Sequence, residues 1–165
     1  MRSVGGATLI LGLVLSLSAC SSGPPPLTKA EYVSRANDIC KRYNDSVQQQ
    51  LSSMDLSTRG GVTKAFDVVV AQGVAQETEL KALVPPKEDK ATIDAIFASY
   101  DKVVEAVRAL RTATALGDQT EVMDPTALPP DLKALSDKVD AAGADSDRLI
   151  DAYGFTECGS GGASA

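Results

Sequence analysis

Four stretches of this sequence place apolar residues at steps of three and four, the spacing of a single helix face. Thr28 and Glu31, in the order of a capping box, open the first. Its apolar positions are Tyr32, Ala36, Ile39, Cys40, Tyr43, Val47, Leu51 and Met54, and residues 56–61 end it in a turn. Glu31–Arg35 and Asp38–Arg42 fall four apart on its outer side, where opposite charges support a helix. The second stretch runs through Val62, Phe66, Val69, Gly73, Leu80 and Leu83 until Pro85 and Pro86, which cannot continue a helix. Gly73 and Ala75 weaken it and leave room for a neighbour to come close. The third begins near Asp89, an N-cap residue type, and carries Ile93, Phe97, Tyr100, Val104, Val107 and Leu110 up to Gly117. The fourth starts at Pro130 and Asp131 and carries Leu132, Leu135, Val139, Ala142, Ser146, Leu149 and Tyr153. Gly154 then suits the left-handed position just past a helix end.

No stretch shows the strict alternation of a half-buried strand. Four amphipathic helices with two short connections predict an all-α fold, an up-down-up-down four-helix bundle over residues 28–158. The alternative is a three-helix bundle with a loose or kinked second helix.

The chain before the bundle has a different pattern. Arg2, an apolar run over residues 9–17, and the small pair Ser18-Ala19 have the order of a secretory signal peptide. The run is shorter than the roughly 20 apolar residues that a membrane span needs. Leu17-Ser18-Ala19-Cys20 resembles the lipobox of bacterial lipoproteins. The resemblance implies that residues 1–19 are removed and that Cys20 becomes the first residue, carrying a thioether-linked lipid with acyl chains such as palmitate. The protein would then be held at the cell membrane, on its extracytoplasmic face, by the lipid on Cys20. Each buried methylene contributes about 0.8 kcal/mol, so two or three chains hold firmly. Residues 20–27 read as a lipidated tether. Its three prolines favour polyproline II, which at about 3.1 Å per residue sets the bundle roughly 20 Å from the anchor. Residues 159–165 contain only Gly, Ser and Ala and read as a disordered tail.

Composition narrows the chemistry. The sequence has 16 basic and 22 acidic side chains, and removal of residues 1–19 takes away only Arg2. An acidic domain argues against nucleic acid as a partner. There is no His, which excludes Ser-His-Asp and Cys-His catalysis and His-containing zinc sites. No cofactor or metal is expected, and an enzymatic role is not. With Cys20 assigned to lipid, Cys40 and Cys158 remain in a compartment that permits disulfides. An even remainder in an exported chain reads as one bridge, and the alternative is two buried free thiols. In an up-down bundle the end of the last helix lies beside the start of the first. Cys40 is eight residues beyond Tyr32, about 12 Å along a helix. The five residues from Tyr153 to Cys158 can span about 16 Å, so the C-terminal segment can fold back and be stapled there, with Phe155 as a plug.

Tyr32-x-x-x-Ala36-Asn37-x-Ile39-Cys40 on the first helix and Tyr153-Gly154-Phe155-x-x-Cys158 after the last resemble segments of small actinobacterial lipoproteins and exported proteins. The resemblance implies a helical bundle with the Cys40–Cys158 bridge, and brings no catalytic residues.

Other constellations are better explained without chemistry. Asp140, Asp145, Asp147 and Asp151 lack the glycine and glutamate spacing of a calcium loop and read as a solvated face. Glu77 and Glu79 are two apart on a helix and point away from each other. Asn44-Asp45-Ser46 matches a glycosylation sequon only by chance. The connection over residues 118–129 is long for a bundle. It reads as a surface loop or as a recognition loop for a partner, replaceable without loss of stability. The expected function is a non-enzymatic cell-envelope lipoprotein, an interaction or accessory module for an envelope protein partner at the outer membrane surface. The alternative is a module holding a lipid or small apolar ligand between its helices.

Overall fold

Residues 23–124 and 126–160 are described by a computed structural model. The segment read as a signal peptide, Cys20 and residues 161–165 lie outside the described residues. Four helices follow in order: α1 (Lys29–Leu51), α2 (Arg59–Lys81), α3 (Lys90–Ala115) and α4 (Pro130–Tyr153), with a 3-10 turn at Lys87–Asp89 leading into α3. They form an all-helical four-helix bundle. Among the described residues the extended pairing amounts to one isolated bridge between Thr58 and Val122. α2 is continuous through Gly73, so the loose-helix alternative is set aside.

The helix ends show how the sequence cuts the chain. Thr28 and Glu31 form the expected capping box: the Glu31 N–H donates to Thr28 Oγ1, and the Thr28 N–H donates to the Glu31 carboxylate at 3.0 Å. Gly154 takes φ 110° at the end of α4, a conformation costly for any residue with a Cβ. Two expectations need correction. Asp89 sits at the N-cap of α3 with helical dihedrals and makes no side-chain cap bond. Its carboxylate instead accepts from the Tyr153 hydroxyl at 2.8 Å, tying the start of α3 to the end of α4. Arg42 makes its direct ion pair with Glu79 of α2 at 2.9 Å, where a bidentate fork across two helices is satisfied, and Asp38 attracts it only at longer range.

α3 packs most extensively on α4, followed by α2 on α3 and α1 on α2. Small side chains let α3 and α4 approach, and buried Ser99 donates to buried Ser146 at 3.2 Å. The α1 and α4 backbones scarcely meet. What closes the ring is the segment after α4. Tyr32, Ala36, Ile93, Ile96, Ile150, Tyr153 and Phe155 form one buried cluster. All of it lies in the half of the bundle where α1 begins and α4 ends, called here the proximal half. Leu27 packs on this cluster and its N–H donates to the Val84 carbonyl, so the chain leading into α1 is fastened before the helix starts. Each such large apolar side chain contributes about 1.5–3 kcal/mol on burial.

Beyond Cys40 the burial pattern of α1 changes. Its buried residues are Tyr32, Ala36, Ile39 and Cys40, all in its first half. Tyr43, Val47, Leu51 and Met54, on the same stripe, are only half-buried. In the distal half the closed packing belongs to α3 and α4, through Val107, Leu110, Thr114 and Leu132. On the α1 side the bundle is therefore closed in its proximal half and open in its distal half.

Candidate functional site

Three local arrangements carry the chemistry of the molecule: a stapled C-terminal segment, a tied distal loop, and an open cleft.

The staple joins Cys40 to Cys158 with Cα atoms 5.1 Å apart. The bridge is accompanied by polar seats on α1. Asn37 Oδ1 accepts from the backbone N–H groups of Thr156 and Glu157 at 3.0 and 3.1 Å. Asn44 Nδ2 donates to the Glu157 carbonyl at 2.8 Å. Asn37, Cys40 and Asn44 share one stripe of α1, at spacings of three and four, and together hold an irregular segment whose backbone groups would otherwise be unpaired. Phe155 is buried as expected, 6.0 Å from the Tyr32 ring and 5.0 Å from that of Tyr153. Burial pushes the Tyr32 hydroxyl up to about 12. Tyr153 is also raised, by burial first and then by its bond to Asp89. Gly159 is buried and the Ser160 hydroxyl donates to Asp151 at 2.6 Å, so the ordered chain runs past the bridge.

The distal loop over residues 118–129 is tied to the start of α2. Arg59 is buried, and its Nε donates to the half-exposed Glu121 carboxylate at 2.7 Å. Backbone bonds run from Arg59 N–H to Glu121, from Gly60 N–H to Gln119 and from Met123 N–H to Ser57. Gly117 ends α3 without the left-handed φ, and the Arg59 side chain lies over it where a Cβ would intrude. This corrects the view of the loop as a replaceable connection: it caps the α1–α2 end and supplies the Glu121 carboxylate bound directly to the buried Arg59, with the charge of Asp118 also acting on it. Leu116 and Val122 on this tip remain 85% and 75% exposed. Beneath the loop is an apolar hollow of about 380 Å³ reaching Phe66, Leu110, Met123 and Leu128.

The cleft lies between the distal half of α1 and α2, about 590 Å³ and open to solvent. Val47 and Leu51 line the α1 wall, Val69 and Gly73 the α2 wall, and Leu56 the distal edge. At its proximal end Gln76 and Tyr100 form a septum: both also line a core cavity of only about 30 Å³, room for one water. The Tyr100 hydroxyl donates to Gln76 Oε1 at 3.2 Å. A Cβ on residue 73 would stand 2.8 Å from that hydroxyl, so glycine is what lets the phenol reach the cleft. Burial, with the charge of Glu77 adding to it, pushes Tyr100 up to about 12, so it stays a neutral donor.

Glu77 and Glu79 do not converge. The buried Glu77 carboxylate is paired with Lys81, and Glu79 with Arg42, which holds Glu79 below the usual carboxylate range. Asp147 is raised, by desolvation and then by the like charge of Asp151 one turn away. Among the described residues no three His, Cys, Asp or Glu side chains gather as a metal-ligand set, and no helix is long and apolar enough to cross a membrane. Cys40 and Cys158 are brought together as expected, whereas Cys20 lies outside the described residues. Sequence reasoning missed Arg59 and the two asparagines. Asn37 and Asn44 carried a signal, since two poor helix formers on the cysteine's own stripe mark a seat for non-helical chain.

No family model, curated protein or solved structure matches this chain.

Proposed function

We propose that this chain is a lipid-anchored, non-enzymatic protein of the cell envelope that works by binding, with the distal half of its bundle as the binding end. One observation supports this reading above the others. The half nearest the tether is closed by an aromatic cluster and a disulfide, while the half farthest from it is open and presents exposed Leu116 and Val122. α1 is 23 residues long, so the distal tip stands about 35 Å from the point where the tether enters. A partner in the envelope would meet that tip first. The anchor itself would be the lipid on Cys20, as the likeness to a lipobox implies.

The anchor and the binding end are tested separately. Cys20→Ser should remove the acyl mass and release the protein from the membrane fraction. A Cys20→Ser protein that keeps acyl mass and stays with membrane would sink the lipoprotein assignment. For the binding end, a photo-crosslinking amino acid at position 116 or 122 should give a discrete adduct in the native envelope, whereas one at exposed Glu88 should not. Adducts formed only from position 88 would place binding at the wrong end.

A second reading, a small-ligand carrier, is favoured by the size of the α1–α2 cleft. Ligand sites occupy about 300–1,000 Å³, and the cleft falls within that range.

A further inference from the structure

We propose that the cleft between α1 and α2 is a site for an uncharged amphiphile: a molecule with an alkyl body and a neutral, hydroxyl-rich head, as in a sugar-headed lipid. The inference rests on the ligand-carrier reading and goes further by naming the chemical class. The walls supply the first half of the match. Val47, Leu51, Leu56 and Val69 form an apolar strip that is half-buried or exposed among the described residues. An alkyl chain laid on it would remove that strip from water at roughly 25 cal/mol per Å².

The polar groups supply the second half. Gln72, Gln76 and the Tyr100 hydroxyl are neutral groups that both donate and accept. They match hydroxyls, which also do both. At the septum the Tyr100 hydroxyl donates to Gln76, and its oxygen retains the capacity to accept a hydrogen bond. Gly73 supports the assignment. A glycine in mid-helix costs about 1 kcal/mol against alanine, and its effect here is to admit the Tyr100 hydroxyl to the cleft.

Charge decides against the ionised alternatives. Asp45 is the one formally charged residue of the lining, and Lys41 pairs with it at 3.1 Å. Arg42 beside Tyr43 is likewise engaged by Glu79. A phosphate, carboxylate or ammonium head would lose water on entering and meet no unpaired opposite charge. The tether end is also far away. Tyr43, the proximal limit of the α1 wall, lies 14 residues beyond Lys29, about 20 Å along the helix.

The test uses the full chain carrying Cys20→Ser, so that no thioether lipid competes for the cleft. Leu56→Trp adds a reporter at the cleft edge to a sequence that has no Trp. Dodecyl maltoside, dodecyl sulfate and dodecyltrimethylammonium are titrated below their micellar concentrations, and tryptophan emission is followed. Dodecyl maltoside is expected to give a saturable blue shift with a Kd at least tenfold lower than either charged probe. Gly73→Leu should abolish the shift with helicity retained. Val47→Lys, at a half-buried wall position that tolerates a long side chain, should weaken dodecyl maltoside about tenfold and favour dodecyl sulfate. No saturable shift with any probe would overturn the ligand-carrier reading together with the inference. Saturable binding that is equal or tighter for a charged probe would overturn only the neutral class. Binding that both cleft variants leave unchanged would overturn the site.

Discussion

Arg59 shows how one side chain can hold two elements in place. It is buried, while its partner Glu121 is half exposed, so the two are not equivalent under mutation. Glu121→Gln would take from a buried guanidinium its directly bound carboxylate; the remaining charge of Asp118 and the partial exposure of the site moderate the cost to about 1–2 kcal/mol. Arg59→Met combined with Glu121→Gln should recover part of that loss, because it removes the buried charge. Urea unfolding of the two variants checks the order; equal stability of Glu121→Gln and the parent would mean that Arg59 finds another partner. The tyrosines give a second residue-level expectation. Tyr32 and Tyr100 are raised from an ordinary 10.0 to about 12 by burial. The folded chain therefore holds these phenolic protons longer than the unfolded chain does. Stability contributed by the neutral phenols is full below pH 10.0 and is lost as pH rises toward 12. Tyrosinate absorbance should lag behind a free-tyrosine titration and rise together with loss of helical circular dichroism. A simple titration at the ordinary value with the helices intact would contradict the burial of these rings.

The elements differ in how firmly they are held. The bridge closes a sequence separation of 118 residues, for which the chain-entropy model gives about 4–5 kcal/mol. Replacing Cys40 and Cys158 with alanine should lower stability by that order, and should loosen the segment after Gly154 first. An unchanged melting temperature would show that Asn37, Asn44 and Phe155 hold the segment without the bridge. α1 should behave as two parts. Residues 29–40 face a closed core, and residues 43–51 face the cleft, so amide exchange should be slower in the first group by one to two orders of magnitude (about 1.4 kcal/mol per tenfold). Uniform protection along α1 would argue that the distal half is packed in solution. Replacing residues 118–129 with a Gly/Ser linker should now cost stability, because the loop's bonds to Ser57, Arg59 and Gly60 go with it.

At the scale of the molecule, these features divide the bundle along its length. The proximal half spends its large apolar and aromatic side chains on a sealed core. The distal half leaves Val47, Leu51 and Leu56 partly in water and carries a tied loop with Leu116 and Val122 exposed. Local stability and openness thus vary in opposite directions along the same helices, a common arrangement where binding needs an accessible surface on a rigid support. The surface ion pairs Arg42–Glu79 and Arg111–Asp67 cross from helix to helix but are exposed, so solvent screening leaves them a minor part of the stability. They steer register more than they stabilise the fold.

The sequence by itself determined the helical periodicity, the stops at Pro85-Pro86 and Gly154 and the capping box at Thr28, and it pointed to a bridge between Cys40 and Cys158, with two free thiols as the alternative. These are local signals: periodicity, dihedral preference, and the even number of cysteines left once Cys20 is read as a lipid site. Only the tertiary structure decided which members of an apolar stripe are buried. Tyr32 and Val47 occupy the same face of α1, yet Tyr32 meets Tyr153 and Phe155 while Val47 meets an open cleft, because the segment after α4 reaches only as far as Cys40 and Asn44. Likewise, nothing near Arg59 in sequence announces Glu121, which is brought to it from 62 residues away. Burial and charge pairing between distant segments depend on where the chain returns, and periodicity along one helix carries no information about that return.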